Sequence, residues 1–282
     1  MKNNYKNYIY KAGLSSWAFT WNIGVAGYEM PEKPMKLFNL VEYAAILKAE
    51  VLQIADNISY SRSELQEAAA FAQTCGVELE LGTAGTDINT LEKYIRTASE
   101  ERVKLVRTLP HSGSDIPSPD LLAERLKKAA EICKTYNIKL AVENHDYYKA
   151  QDLFDAVNRA DSPYIGICYD PVNNYGQGES YIECANIFAD KVMNVHYKDF
   201  AVKRADHKMG FLIEGRPSGE GIIEAEKLAE LFNPGISWIV ELWTPWQGGI
   251  EKTIELEKEW AKKSIEYLKN IRGGFENGKQ NK

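Results

Sequence analysis

Short apolar runs and longer amphipathic segments alternate from one end of the chain to the other. KAGLSSWAF near residue 11, VLQIAD from Val51, VELELGT from Val77 and VKLVRTLP from Val103 have the length and apolar content of buried strands, and LAVENH, GICYDP, VMNVHYKD and WIVELW continue the series. The intervening segments carry helix punctuation. Ser63 followed by Gln66 reads as a capping box, after which Leu65, Ala68, Ala69 and Ala72 share a small apolar face until Gly76 ends the helix. Ser118 with Pro119 opens another helix, with Leu122, Leu126, Ala129, Ala130 and Cys133 at helical spacing. Alternating units of this length require a parallel sheet, and eight of them favour closure into a single (β/α)8 TIM barrel over an open doubly wound sheet. The GxGxxG fingerprint of a nucleotide-binding open sheet is absent from the sequence.

Side chains of barrel strands alternate between the barrel interior and the helix layer. Ile138, Leu140 and Val142 therefore take the outer face and leave Lys139, Ala141 and Glu143 inside. The same parity sends Ile165, Ile167 and Tyr169 outward and Gly166, Cys168 and Asp170 inward. In the next strand Met193, Val195 and Tyr197 face out, with Val192, Asn194, His196 and Lys198 inward. Trp238, Val240 and Leu242 then face out, against Ser237, Ile239 and Glu241. Glu143, Asp170, His196 and Glu241 thus converge on the mouth where the strands end.

Three carboxylates and one imidazole form a hard, oxygen-rich set suited to one divalent ion, Mn²⁺, Mg²⁺ or Co²⁺, rather than a structural Zn²⁺. Without a cation such a cluster would repel itself and take up protons. Around it, His145 shares the parity of Glu143 and suits proton transfer near neutrality, as a catalytic residue or a substrate hydrogen-bonding group. Lys198 faces inward, where it could bind a substrate oxygen or pair with Asp199. Trp17, Trp243 and Trp246, at or just beyond strand ends, offer flat faces for a sugar ring. His111, in the loop PHSGSDIPSP, and Arg216 and His207, near EGRPSGEGII, are further pocket candidates.

Bulk properties narrow the setting. A chain of 282 residues matches one barrel, placed at 1–272 with a polar tail over 273–282. Its apolar runs are strand-length and its start, MKNNYKNYIYK, is polar, so the expectation is a cytoplasmic protein without membrane contact. Cys75, Cys133, Cys168 and Cys184 form no CxxC pair and read as core thiols. A net charge of −6 gives no reason to expect nucleic acid as a partner. The partner expected is a small-molecule substrate, with a homo-oligomer left open.

VENH with Glu143, GICYDPVNN with Asp170, VHYKD with His196 and Lys198, the later SGEGII, and VELW with Glu241 resemble the xylose-isomerase-like superfamily, the sugar phosphate isomerase/epimerase group. The likeness is specific in the second half of the chain and general in the first. It implies that the Glu, Asp, His and Glu bind one divalent metal, commonly Mn²⁺, with Glu143 and Glu241 also serving as acid and base. Two positions depart from the ketose 3-epimerases of that group. Asn173 stands three residues after the Asp, where they carry a substrate-binding His, and Lys198 stands where they carry an Arg shortly after the ligand His.

Such a site removes a proton beside a carbonyl and stabilises the resulting enediolate. The first expectation is an isomerase or epimerase acting on a sugar or keto-sugar. The second is a lyase or dehydratase acting on a keto-sugar, inosose or 3-keto-glycoside by β-elimination, C-glycoside cleavage included. Two further readings are a nuclease like the AP endonucleases of the same superfamily, which need more histidine ligands than His111, His145, His196 and His207 supply, and a sugar-binding barrel without turnover.

Overall fold

The computed structural model describes the backbone of residues 10–277 and the side chains of residues 10–272. In chain order its strands are β1 (Lys11–Ser15), β2 (Val51–Ile54), β3 (Glu78–Ala84), β4 (Leu105–Leu109), β5 (Lys139–Glu143), β6 (Ile165–Tyr169), β7 (Val192–Tyr197), β8 (Asp199–Arg204), β9 (Phe211–Arg216) and β10 (Ser237–Val240). Eight of them close into a parallel barrel in the order β1-β10-β7-β6-β5-β4-β3-β2. The expected (β/α)8 TIM barrel is the fold of the chain. The strands β8 and β9 form an antiparallel hairpin between β7 and β10, an insertion that the strand–helix rhythm had not revealed.

Helices cover the barrel, and the layer between them and the sheet holds the main core, with Leu140, Val142, Ile165, Ile167, Val195, Val240 and Trp238 all facing it. A separate small cluster of Leu105, Ala141 and Cys168, joined by Met193, fills the barrel interior. The expected parity holds in β5, β6 and β10 and fails at the start of β7. There the register steps from Ile167↔Val192 to Cys168↔Asn194, a bulge that skips Met193. Val192 consequently joins the outer core and Met193 the interior, the reverse of the expectation. Gly166 makes this possible, since a Cβ there would lie 2.5 Å from the Lys191 carbonyl oxygen and 2.6 Å from Met193 Cγ. The bulge absorbs one residue, so the inward placement of Asn194 and His196 survives it.

Three local expectations change. The first run is strand only to Ser15, after which Ser16–Phe19 turns as a 3₁₀ helix, with Ser15 Oγ accepting from the Trp17 N–H. The capping box is Ser61 with Glu64, two residues before the predicted pair, and the helix is Arg62–Cys75. The Glu64 carboxylate accepts from the Ser61 N–H at 2.7 Å, and Ser63 sits within the first turn. Cys75 is exposed, whereas Cys133, Cys168 and Cys184 are buried as expected and all four are free thiols. Ser118 and Pro119 do open the helix Pro119–Tyr136.

The last helix, Ile250–Asn277, packs across β1 and the 3₁₀ turn. The polar start and the tail expected from residue 273 fall largely outside the described residues. No described helix is long and apolar enough to cross a membrane.

Candidate metal centre

Neighbouring strands deliver the four candidate ligands. Glu143 ends β5, Asp170 follows β6, His196 lies near the end of β7 and Glu241 follows β10. All are buried, none more than 3 % exposed. Donor atoms of Asp170, His196 and Glu241 lie within 4.8 Å of one another, as do those of Glu143, Cys168 and His196. His196 Nδ1 stands 3.1 Å from Glu143 Oε2 and 3.3 Å from Glu241 Oε1.

The local sequence aims these groups. Backbone N–H groups of Val172 and Asn173 donate to Asp170 Oδ1 at 2.7 and 3.2 Å, which leaves Oδ2 turned to the centre. Asn144, next to Glu143, holds the Asp170 backbone by donating to its carbonyl at 2.8 Å and accepting its N–H at 2.7 Å. His196 Nε2 is 2.7 Å from Gln53 Oε1, and the Gln53 amide donates to Glu80 Oε2 at 3.0 Å. Glu80 in turn accepts from Ser237 Oγ at 2.5 Å and Asn194 Nδ2 at 3.4 Å. Because the Gln53 oxygen can only accept, His196 Nε2 carries a proton, and Nδ1 is the ring atom turned to the carboxylates; burial would lower the imidazole pKa, but Glu241 and Glu143 raise it.

Asp170 Oδ2, His196 Nδ1 and Glu241 Oε1 have no hydrogen-bond partner. Ion-pair contacts with Lys198, with Glu143 and among themselves are all that engage these three atoms, and together they are a donor set a divalent cation satisfies. The residues therefore fit a metal of the hard or borderline class.

The charge balance adds to the expectation. Two cations of the chain itself enter the cluster, while Asp170 is still pushed upward by burial and by Glu143 and Glu241. Arg107, from β4, places Nε 2.5 Å from Glu143 Oε2 and donates from Nη1 to the Thr83 carbonyl at 3.1 Å. Lys198 Nζ lies 2.8 Å from Asp170 Oδ2 and 3.1 Å from Glu241 Oε2. Burial alone would raise the Glu143 pKa, but Arg107 and His196 hold it well below the usual carboxylate range. Burial raises Asp170, which Lys198 offsets only in part. Burial would lower Lys198, yet Asp170 and Glu241 drive it upward and keep it charged.

Arg107 is the main residue the sequence reading missed. Its signal was available, since Leu105, Arg107 and Leu109 share one parity and Leu105 packs inside the barrel. Gln53 and Glu80 were missed as well, being polar residues inside otherwise apolar strands.

Above the centre opens a cavity of about 500 Å³ lined by Trp17, Trp21, Arg107, Glu143, His145, Lys198, Glu241 and Trp243, among others. Lys198 Nζ also sits 5.2 Å from the centre of the Trp243 ring. Asn173 reaches the centre, donating from Nδ2 to Glu143 Oε1 at 2.9 Å. His111 stands beside His145, with Nε2 and Nδ1 3.3 Å apart, and burial and that neighbour hold its pKa below the usual imidazole value. Other candidates lie elsewhere. Arg216 turns back to Glu214 and the Gly215 carbonyl at the end of β9, and His207 is exposed at the hairpin turn, its Nδ1 accepting from the Met209 N–H. Trp246 packs against Trp21 and Tyr28. Asp199 does not pair with Lys198. It accepts from the backbone N–H groups of Phe200, Gly219, Gly221 and Ile223 at 2.9–3.1 Å, and a Cβ on Gly221 would collide with its carboxylate, which explains the SGEGII motif.

Residues 23–271 match the family model described as xylose isomerase-like TIM barrel. The chain belongs to this family. It is 34 % identical over 262 residues to 3-oxo-isoapionate decarboxylase of Pectobacterium atrosepticum, covering 91 % of this chain and 94 % of that one. The fold is similar to D-psicose 3-epimerase from Clostridium cellulolyticum H10, with a TM-score of 0.70, 14 % identity and coverage of 93 % and 99 % of the two chains. It is also similar to the IOLI protein with a bound zinc atom, with a TM-score of 0.66, 16 % identity and coverage of 90 % and 98 %. These solved structures share the fold. The xylose isomerase-like barrel is thus an enzyme framework here, with residue groups able to hold a divalent metal at its mouth.

Proposed function

We propose that this chain is a metal-dependent lyase that decarboxylates a 3-oxo sugar acid, passing through an enediolate. The observation that carries this reading is the engagement of Glu143. One of its oxygens accepts from Arg107 Nε and the other from Asn173 Nδ2, and its pKa is held low. A carboxylate so occupied is a poor base for abstracting a carbon-bound proton, since basicity falls as the charged form is stabilised.

Decarboxylation needs no such base. The pair of electrons in the bond to the carboxylate moves toward the neighbouring ketone, CO₂ leaves, and the carbon then takes up a proton. A divalent ion held by Asp170, His196 and Glu241 with Glu143 beside them would supply stabilisation of the developing oxyanion; the oxygen-rich donor set favours Mn²⁺. Arg107 and Lys198 bring fixed positive charge to the cavity, which suits an anionic substrate. Trp17 and Trp243 present aromatic faces to its carbon skeleton. The similarity to 3-oxo-isoapionate decarboxylase along nearly the whole chain supports the same choice.

The isomerase or epimerase reading requires Glu143 and Glu241 both to exchange protons with carbon. Incubation of the Mn²⁺-loaded protein with a 3-oxo sugar acid, followed by ¹³C NMR, should show bicarbonate and a shortened ketose. The competing result is no bicarbonate, together with epimerisation or deuterium uptake in neutral ketoses in D₂O, and it would replace decarboxylation with isomerisation.

A further inference from the structure

A second cluster of ligating side chains sits at the rim of the mouth, outside the four-residue centre. His111 follows β4, while His145 and Asp146 follow β5. His111 Nε2 lies 3.3 Å from His145 Nδ1, His145 Nδ1 lies 2.8 Å from Asp146 Oδ2, and His111 Nε2 lies 3.7 Å from the same oxygen. One triangle of donor atoms, two nitrogens and one oxygen, is therefore closed between two loops.

A single His145 Nδ1–H given to Asp146 Oδ2 leaves His111 Nε2 to solvent or to a shared hydrogen bond, so the close approach of the three atoms is not accounted for by one full hydrogen bond per atom. A cation in the middle satisfies all three atoms at once. A tetrahedral ion with bonds of about 2.0–2.1 Å holds its donors about 3.3 Å apart, and the three observed edges scatter around that length.

We propose that His111, His145 and Asp146 form a second metal site that takes a borderline cation of the Zn²⁺ or Co²⁺ class. Two imidazoles and one carboxylate are a softer, more nitrogen-rich set than the centre below, so the two sites prefer different ions. Three protein ligands leave the fourth position open, and His145 lines the cavity, so the open position is available to water or to an oxygen of a bound substrate. Tyr147 packs edge-on against the His111 ring and limits its rotation.

The test is metal stoichiometry on the full chain. Equilibrium dialysis against Zn²⁺ with elemental analysis would compare wild type, H111A, D146N and the inner-centre variant D170N/E241Q. Asp146 has a 55 % exposed side chain, so D146N should fold even if H111A does not, and circular dichroism checks both. The expected result is one ion fewer per chain in D146N and H111A than in wild type, with visible Co²⁺ bands surviving in D170N/E241Q and weakened in D146N to those of the inner centre alone. Equal stoichiometry in wild type and D146N, or Co²⁺ bands lost only with the inner-centre residues, would overturn the site. Neither readout depends on whether the protein releases CO₂ from a sugar acid.

Discussion

Lys198 Nζ lies 2.8 Å from Asp170 Oδ2, the oxygen that receives no backbone hydrogen bond and turns toward the candidate metal centre. The lysine thus neutralises the face that a divalent ion would use. Breaking a buried pair by removing one partner costs about 3–5 kcal/mol, because the other charge is stranded. Lys198→Met should lower stability in metal-free buffer by that order, and saturating Mn²⁺ should recover much of it. The rise in Tm on adding Mn²⁺ should be larger in the variant than in wild type. Equal rises in thermal melts would separate Lys198 from the metal-facing oxygens.

Arg107 and Glu143 form a buried pair of the same kind, 4 % and 1 % exposed. Arg107→Met should destabilise by about 3–5 kcal/mol in denaturant titrations. Arg107→Met/Glu143→Gln should regain part of the loss, since no net charge is then left buried. A double variant that is simply the sum of the two single variants would remove the coupling between them.

Gln53 orients His196 from the far side of the centre. Gln53→Leu leaves the imidazole Nε2–H without its acceptor and removes a donor from Glu80, and loss of such an outer partner weakens metal affinity by about 10–100-fold. Calorimetric Mn²⁺ titration should find that weakening. Unchanged affinity in Gln53→Leu would mean that another contact sets the tautomer.

Glu257, on the last helix, accepts from the N–H groups of Trp21 and Asn22, each at 2.9 Å, and from Asn22 Nδ2 at 2.6 Å. It therefore holds the segment that carries Trp21 into the cavity. Burial pushes its pKa from 4.5 to about 7, against the opposing effects of Asn22, Trp21 and Lys258. The folded state then keeps the proton longer than the unfolded chain. Its contribution to stability is full below about pH 4.5 and is lost as pH rises through about 7. The fall is on the order of 3 kcal/mol. Glu257→Gln should flatten the decline in stability between those limits. An unaltered pH profile of denaturant midpoints would show that Glu257 does not titrate there.

Much of this architecture follows from local order along the chain. Strand length, helix caps and alternating parity are one-dimensional properties, so eight units, a closed barrel and the convergence of Glu143, Asp170, His196 and Glu241 could be read from residue spacing. What lies across strands could not. The bulge that exchanges Val192 and Met193 arises because Gly166, on the neighbouring strand, leaves room for it. Arg107 stands 36 residues before Glu143 and meets it only after β4 pairs with β5, and Gln53 meets His196 from 143 positions away across the barrel. The sequence by itself determined which residue types carry the chemistry and which strand ends present them. Tertiary structure decided which of them neutralise, orient or occupy one another, because those relations depend on distances through a closed sheet that no local pattern encodes.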